Sequence, residues 1–291
     1  MTLLTVTYSL NALLMMALGV GLGAWLIHRF GLSWRLYGIG ALTFVLSQVG
    51  HIPFNALILP WLFQIGMPRP PVAAGILGVA IFAGLSSGLW EETARWVMYR
   101  WGVKEARSWR EALVLGAGHG GIEAVIFGAL AAWTFIQALA LSGVADLSTV
   151  VPAERLPEIQ TFMEAVWSAS WPASLLGALE RLLALPLHLA LSVLVLQVFR
   201  RRQMRWWLFA VLWHAAANGV TYGFLQWSQS AYLTELVFSL FTLGSCVIIW
   251  LLRDRQVPGV SAAAPEAQPV LPVAIRPAAE TNEDLEKTRY Q

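Results

Sequence analysis

The chain has 291 residues, of which 57% are hydrophobic and 12% charged, about half the charge of an ordinary soluble domain. Several apolar runs of about 20 residues or more exclude a soluble globular protein and point to a polytopic helical membrane protein. The net charge of +2 decides little, because the placement of Lys and Arg sets topology. The lone Cys246 excludes an internal disulfide or a multi-cysteine zinc site.

The N-terminus lacks the basic start of a signal peptide, so the first apolar run, 3–27, is expected to remain as a span, with His28 at its interfacial end. The second span, 36–65, is interrupted by Gln48, His51, Pro53 and Asn55. The third, 71–99, carries Glu91, Glu92 and Arg95, and the fourth, 111–141, contains Gly118-His119-Gly120-Gly121-Ile122-Glu123. Residues 143–171 form a long connection. Its Leu156, Ile159, Phe162, Met163 and Val166 recur at three and four, which predicts an amphipathic helix on the outer membrane face. Spans five to seven follow at 172–199, 206–227 and 231–252. The composition then turns rich in Pro, Ala and Glu. The expected division is therefore a membrane-embedded domain, 1–253, and a disordered cytoplasmic tail, 254–291.

Basic residues alternate between the connections. Arg29 and Arg35 follow the first span; Arg100, Lys104, Arg107 and Arg110 follow the third. Arg200, Arg201, Arg202 and Arg205 follow the fifth, and Arg253 and Arg255 the seventh. The opposite connections hold only Arg69 and Arg155. The expected topology in the cell membrane is N-terminus outside and C-terminus in the cytoplasm. The basic clusters need no nucleic acid to explain them, and no nucleic-acid module is present.

Charge inside a span costs about 2.5–3.5 kcal/mol per group, so the polar residues ask for a reason. Glu91 and Arg95 are one turn apart and are expected to pair. Counted from the flanking basic residues at about 1.5 Å per residue, Glu91, His119, His188 and His214 all fall near mid-bilayer. Glu123 and Asn218 lie one turn deeper on the faces of His119 and His214. Gly84 and Gly88, and Gly116 and Gly120, would let these helices approach closely. Pro186 would kink the fifth span beside His188.

Two carboxylates, three histidines and an amide suit hydrolysis. His119 and Glu123 could ligate zinc from one helix, a remaining Glu could act as general base, and Asn218 could donate to a developing oxyanion. A metal-free version, with Glu and His polarising water together, stays open. The bland readings stand beside these: a Glu–Arg pair fixing helix register, histidines bonding between helices, Gln48, His51 and Asn55 as supporting polar contacts, and Glu180-Arg181 as a structural pair. A transporter or proton path would carry polar residues to both faces, whereas a protease pocket would close on one. Polar residues are sparse on the cytoplasmic side of the layer, which favours the protease. A catalytically inactive scaffold is the third alternative.

Glu91-Glu92-x-x-Arg95, then His119, then His214-x-x-x-Asn218, resembles the CAAX-protease and bacteriocin-processing (CPBP) superfamily of intramembrane proteases. Arg95 stands one residue short of the superfamily spacing, and Leu115 replaces its Phe. The fuller likeness is to the YhfC-type membrane peptidase family. It extends to Gln48-x-x-His51-x-Pro53-x-Asn55, Gly118-His119-Gly120-Gly121-x-Glu123-Ala124, Glu180-Arg181 and His188, and covers roughly 1–250. The resemblance implies an intramembrane endopeptidase acting on a membrane-protein or lipidated-peptide substrate. It implies that Glu91 or Glu92 activates water, that His119, His188 and His214 bind a divalent metal such as zinc or polarise the water, and that Asn218 stabilises the oxyanion.

Overall fold

The computed structural model describes residues 2–254; the expected tail, from 255 on, lies outside the described residues. Among the described residues all regular structure is helical, and seven helices are long and apolar enough to cross a membrane. They are α1 (Thr2–Phe30), α2 (Trp34–Gln64), α3 (Ala73–Val97), α4 (Trp109–Ser142), α6 (Leu176–Arg201), α7 (Arg205–Ser228) and α8 (Ala231–Leu251). The eighth helix, α5 (Leu156–Ser168), is the expected amphipathic segment. Its Leu156, Ile159, Phe162, Met163 and Val166 are half-buried while the positions between them are mostly exposed. Tyr8 on α1 donates to the Val166 carbonyl at 3.3 Å, and Trp167 packs edge-on to Phe135 of α4.

Local chemistry sets the helix ends. Ser33 caps α2 by accepting from the Arg35 N–H. Ser108 and Glu111 form a reciprocal capping box at the start of α4, which satisfies two otherwise unpaired backbone donors where the chain re-enters the bilayer. α3 ends in one π-helical turn, Met98–Gly102. α6 runs unbroken through Pro186 to Arg201. Trp34, Trp61, Trp101, Trp227 and Trp250, near helix ends, are exposed as an interfacial belt requires.

α6 is the central helix. In its most apolar window 78% of residues are buried, against 17–39% in the other spans. α4 packs on one side of it and α8 on another; α1 and α2 flank α4, and α3 pairs with α7. Lipid offers no hydrophobic drive for this association, so close backbone approach supplies it. A Cβ on Gly84 would lie 2.4 Å from the Ala215 carbonyl oxygen, and one on Gly88 2.6 Å from that of Val211. Those two glycines therefore set the distance between α3 and α7. Gly116 and Gly120 do the same for α4 against α6, at the level of His188.

Candidate active site in the bundle core

The α3–α7 and α4–α6 contacts bring the intramembrane polar residues together. Glu92 is 0% exposed, Arg95 and His119 1%, His214 2%, His188 4% and Glu91 6%. Charges so deep survive only if paired, and each has a partner here.

Arg95 pairs with Glu92, one turn back, and its second amino group donates to His188 Nδ1 at 2.8 Å. The expected Glu91–Arg95 pair does not form. Positions three and four apart share a helix face equally well, and Glu91 is drawn instead to α4, where its Oε2 meets His119 Nε2 at 3.0 Å. Glu92 Oε1 also accepts from His214 Nδ1 at 2.8 Å. In the neutral ring this leaves the lone pair of His214 on Nε2, 4.0 Å from Glu91 Oε2.

His188 has both nitrogens engaged. Arg95 can only donate, so His188 Nδ1 accepts, and in the neutral ring the proton sits on Nε2. That nitrogen lies 2.7 Å from Glu123 Oε2. Arg181 donates to the other Glu123 oxygen at 2.6 Å and also pairs with Glu180. Glu123 thus stands behind His188, linked to Arg181, whereas His119 belongs to Glu91. The Glu180-Arg181 dipeptide is the anchor of Glu123.

Asn218 donates to Ser87 Oγ at 2.9 Å. Ser87 lies one turn before Glu91 on the same face of α3, a spacing visible in the sequence but not singled out there. From α2, Gln48 Nε2 reaches Glu91 Oε1 at 3.3 Å, and Phe44 stacks edge-on to the His119 ring at 5.1 Å.

Glu91, His119 and His188 each offer one ligand atom, and these atoms all lie within 4.8 Å of one another. Two imidazoles and a carboxylate form a donor set that zinc-class ions accept. The fit is supported by His119 Nδ1, which is buried without a partner; His188 would ligate by exchanging its Arg95 donor at Nδ1 for the ion, with its Nε2–H still directed at Glu123, an acceptor that can orient it from behind. The His214 ring centroid lies 5.9 Å from that of His188, at the edge of the group.

A cavity of about 310 Å³ reaches this cluster; Glu91, His188, His214 and Asn218 line its floor. Its walls are Glu123 and Phe127 of α4, Glu180, Arg181, Ala184 and Leu187 of α6, Thr221, Tyr222 and Leu225 of α7 and Phe238 of α8. All lie on one side of the layer, away from the basic connections. On the basic side the core is filled by Leu115, Leu191, Val195, Val211 and Tyr99, each at most 2% exposed; a separate, largely apolar cavity between α2 and α3, lined by Ser47, Trp90 and Trp101 among others, includes none of the cluster residues in its lining. Glu92 does not line the cavity and communicates with it through His214.

A family model described as YhfC intramembrane metalloprotease matches residues 14–238. A membrane protein of Bacillus subtilis (strain 168), YhfC, itself described as uncharacterized, is 27% identical over 257 residues, which cover 86% of this chain and 95% of that protein. No solved structure matches. The matched stretch contains every residue of the cluster, from Gln48 on α2 to Asn218 on α7, and the seven apolar helices agree with a multi-pass membrane protein. The chain belongs to the YhfC intramembrane metalloprotease family.

Proposed function

We propose that this chain hydrolyses a peptide bond of a membrane-protein or lipidated-peptide substrate inside the bilayer, at the Glu91–His119–His188–His214 cluster. The observation that carries the reading is the one-sided cavity. It brings an open space to carboxylate, imidazole and amide groups and stops there. A transport path would need a second opening, and the wholly buried Leu115, Leu191 and Tyr99 stand where it would run.

Glu91, His119 and His188 would hold the divalent ion in this reading, zinc first among candidates. A bound ion of this kind supplies Lewis acidity and eases the ionisation of water near neutral pH. The remaining work falls to the chain. Glu92 fixes the proton of His214 on Nδ1 and leaves the Nε2 lone pair toward the cavity, so His214 can take a proton from water and return it to the leaving nitrogen. Arg95 neutralises Glu92 and keeps this dyad from carrying a bare buried charge. Asn218 has two amide hydrogens and Ser87 takes one; the other can donate to the carbonyl oxygen as it gains charge.

The test is a comparison of cells producing the chain with cells producing Glu91→Gln, by labelling of new protein N-termini in the membrane fraction. New termini are expected with the unaltered chain and none with the variant. Identical sets of termini would remove the protease reading. Metal analysis of purified protein separates the two chemistries: divalent metal near one equivalent per chain, lost in His119→Ala, supports the metal-dependent form. Cleavage that survives a strong chelator leaves the form in which Glu91 and the histidines polarise water unaided.

A further inference from the structure

α2 is among the least buried of the spans and supplies none of the three grouped ligands, yet three of its polar side chains lead directly to one of them. Gln48, His51 and Asn55 are spaced by three and four and share a helix face. Gln48 Nε2 is 3.3 Å from Glu91 Oε1. His51 Nδ1 is 3.1 Å from Gln48 Oε1. Asn55 Nδ2 is 2.9 Å from His51 Nε2, and Ser86 of α3 closes the side at 3.2 Å.

The direction of this chain is set from one end. An ionised carboxylate only accepts, so Gln48 must turn its amide hydrogens to Glu91 and its carbonyl back. That carbonyl also only accepts, so His51 carries its proton on Nδ1. The Nε2 lone pair then requires a donor, which Asn55 is. Each of the three thus has a donor directed toward Glu91, while Gln48 Nε2 also donates to Ser47 Oγ at 3.2 Å. Hydrogen bonds that merely join α2 to α3 would need no such common direction, and polar groups on a span with much lipid-facing surface are costly.

We infer that Asn55, His51 and Gln48 are positioning residues for Glu91. They hold its Oε1 by a polarised series of donors, keep Oε2 turned to His119, and thereby set the affinity of the site for a divalent cation. The inference rests on the metal reading given above. Partners of this kind, standing behind a metal ligand, typically account for about 10–100-fold in metal affinity.

The experiment uses full-length protein in detergent, stripped with chelator and titrated with Co²⁺, with the cobalt visible absorption as signal. Thermal unfolding of the metal-free protein is measured alongside. Gln48→Leu and His51→Phe are expected to weaken Co²⁺ binding by about 10–100-fold. His51→Asn keeps an N–H near the place of Nδ1 and should return affinity close to the unaltered value, a rescue that a purely structural role would not single out. Asn55→Leu removes only the outermost donor; it carries the test should the other variants not fold, and is expected to show a smaller loss of the same sign. Co²⁺ affinity equal to that of the unaltered protein in these variants overturns the inference, as does His51→Asn binding as weakly as His51→Phe. If the unaltered protein takes up no Co²⁺, the metal reading itself fails, and that result is distinct from the first two.

Discussion

At the scale of single residues, Arg95 decides whether the site can exist. It is 1% exposed and serves two acceptors on two helices, Glu92 on its own α3 and His188 on α6. Removing it leaves the wholly buried Glu92 carboxylate with only His214 as partner. Loss of one member of a buried pair costs about 3–5 kcal/mol, whereas replacing both by apolar groups is often near neutral. Arg95→Met should therefore unfold at clearly lower temperature than the unaltered protein, and the double variant Glu92→Leu/Arg95→Met should recover much of the loss. Thermal unfolding in detergent checks this; a double variant no more stable than Arg95→Met alone would show that packing, not the stranded charge, sets the penalty. The double variant should still be inactive, since His214 loses the carboxylate that fixes its proton. The sequence made this cluster conspicuous because charge in an apolar run is rare. It did not reveal which carboxylate Arg95 takes, because Glu91 and Glu92 are both within one turn of it, and only the position of His119 on α4 breaks the tie.

At the scale of elements, the spans were legible because a bilayer demands apolar runs of about 20 residues, and each expected span overlaps the corresponding helix. The amphipathic α5 was legible from its spacing of three and four. The centrality of α6 was not. A helix apolar on all sides satisfies lipid and protein interior alike, so Leu191, Val193 and Val195 carry no sequence mark of being fully buried. The glycine pairs gave the better clue, and they carry a prediction. Gly88→Leu should force α3 away from α7, because its Cβ would already meet the Val211 carbonyl oxygen at 2.6 Å. Gly21→Leu, where nothing lies within 4 Å, should behave as the unaltered protein. The comparison is by thermal unfolding and by N-terminal labelling for activity. Equal stability of the two variants would mean that α3 and α7 are not held in contact by that glycine.

At the scale of the whole molecule, the polar residues do more than agree in depth: they line a cavity on one side of the layer, while Leu115, Leu191, Val195 and Tyr99 fill the core on the other. The asymmetry can be read directly because Cys246, the chain's only cysteine, is exposed on the helix bundle and can be replaced by Ser without touching the site. In that background Thr221→Cys places a thiol on the cavity wall, and Ser192→Cys places one beside Tyr99, on the closed side of the layer, at a position 1% exposed. Sealed vesicles of both orientations are then treated with a membrane-impermeant thiol reagent. Thr221→Cys is expected to react only from the face opposite the basic connections, and Ser192→Cys from neither face. Labelling of Ser192→Cys from the basic side would open a through-path and turn the argument toward transport. Labelling of Thr221→Cys from that side would reverse the orientation that Arg100, Arg110, Arg200 and Arg205 predict. In the proposed reading, a cavity open to one side with its carboxylate and imidazoles at the closed end would confine water and substrate to the same few residues, a confinement that hydrolysis within the bilayer needs because the surrounding lipid supplies no water.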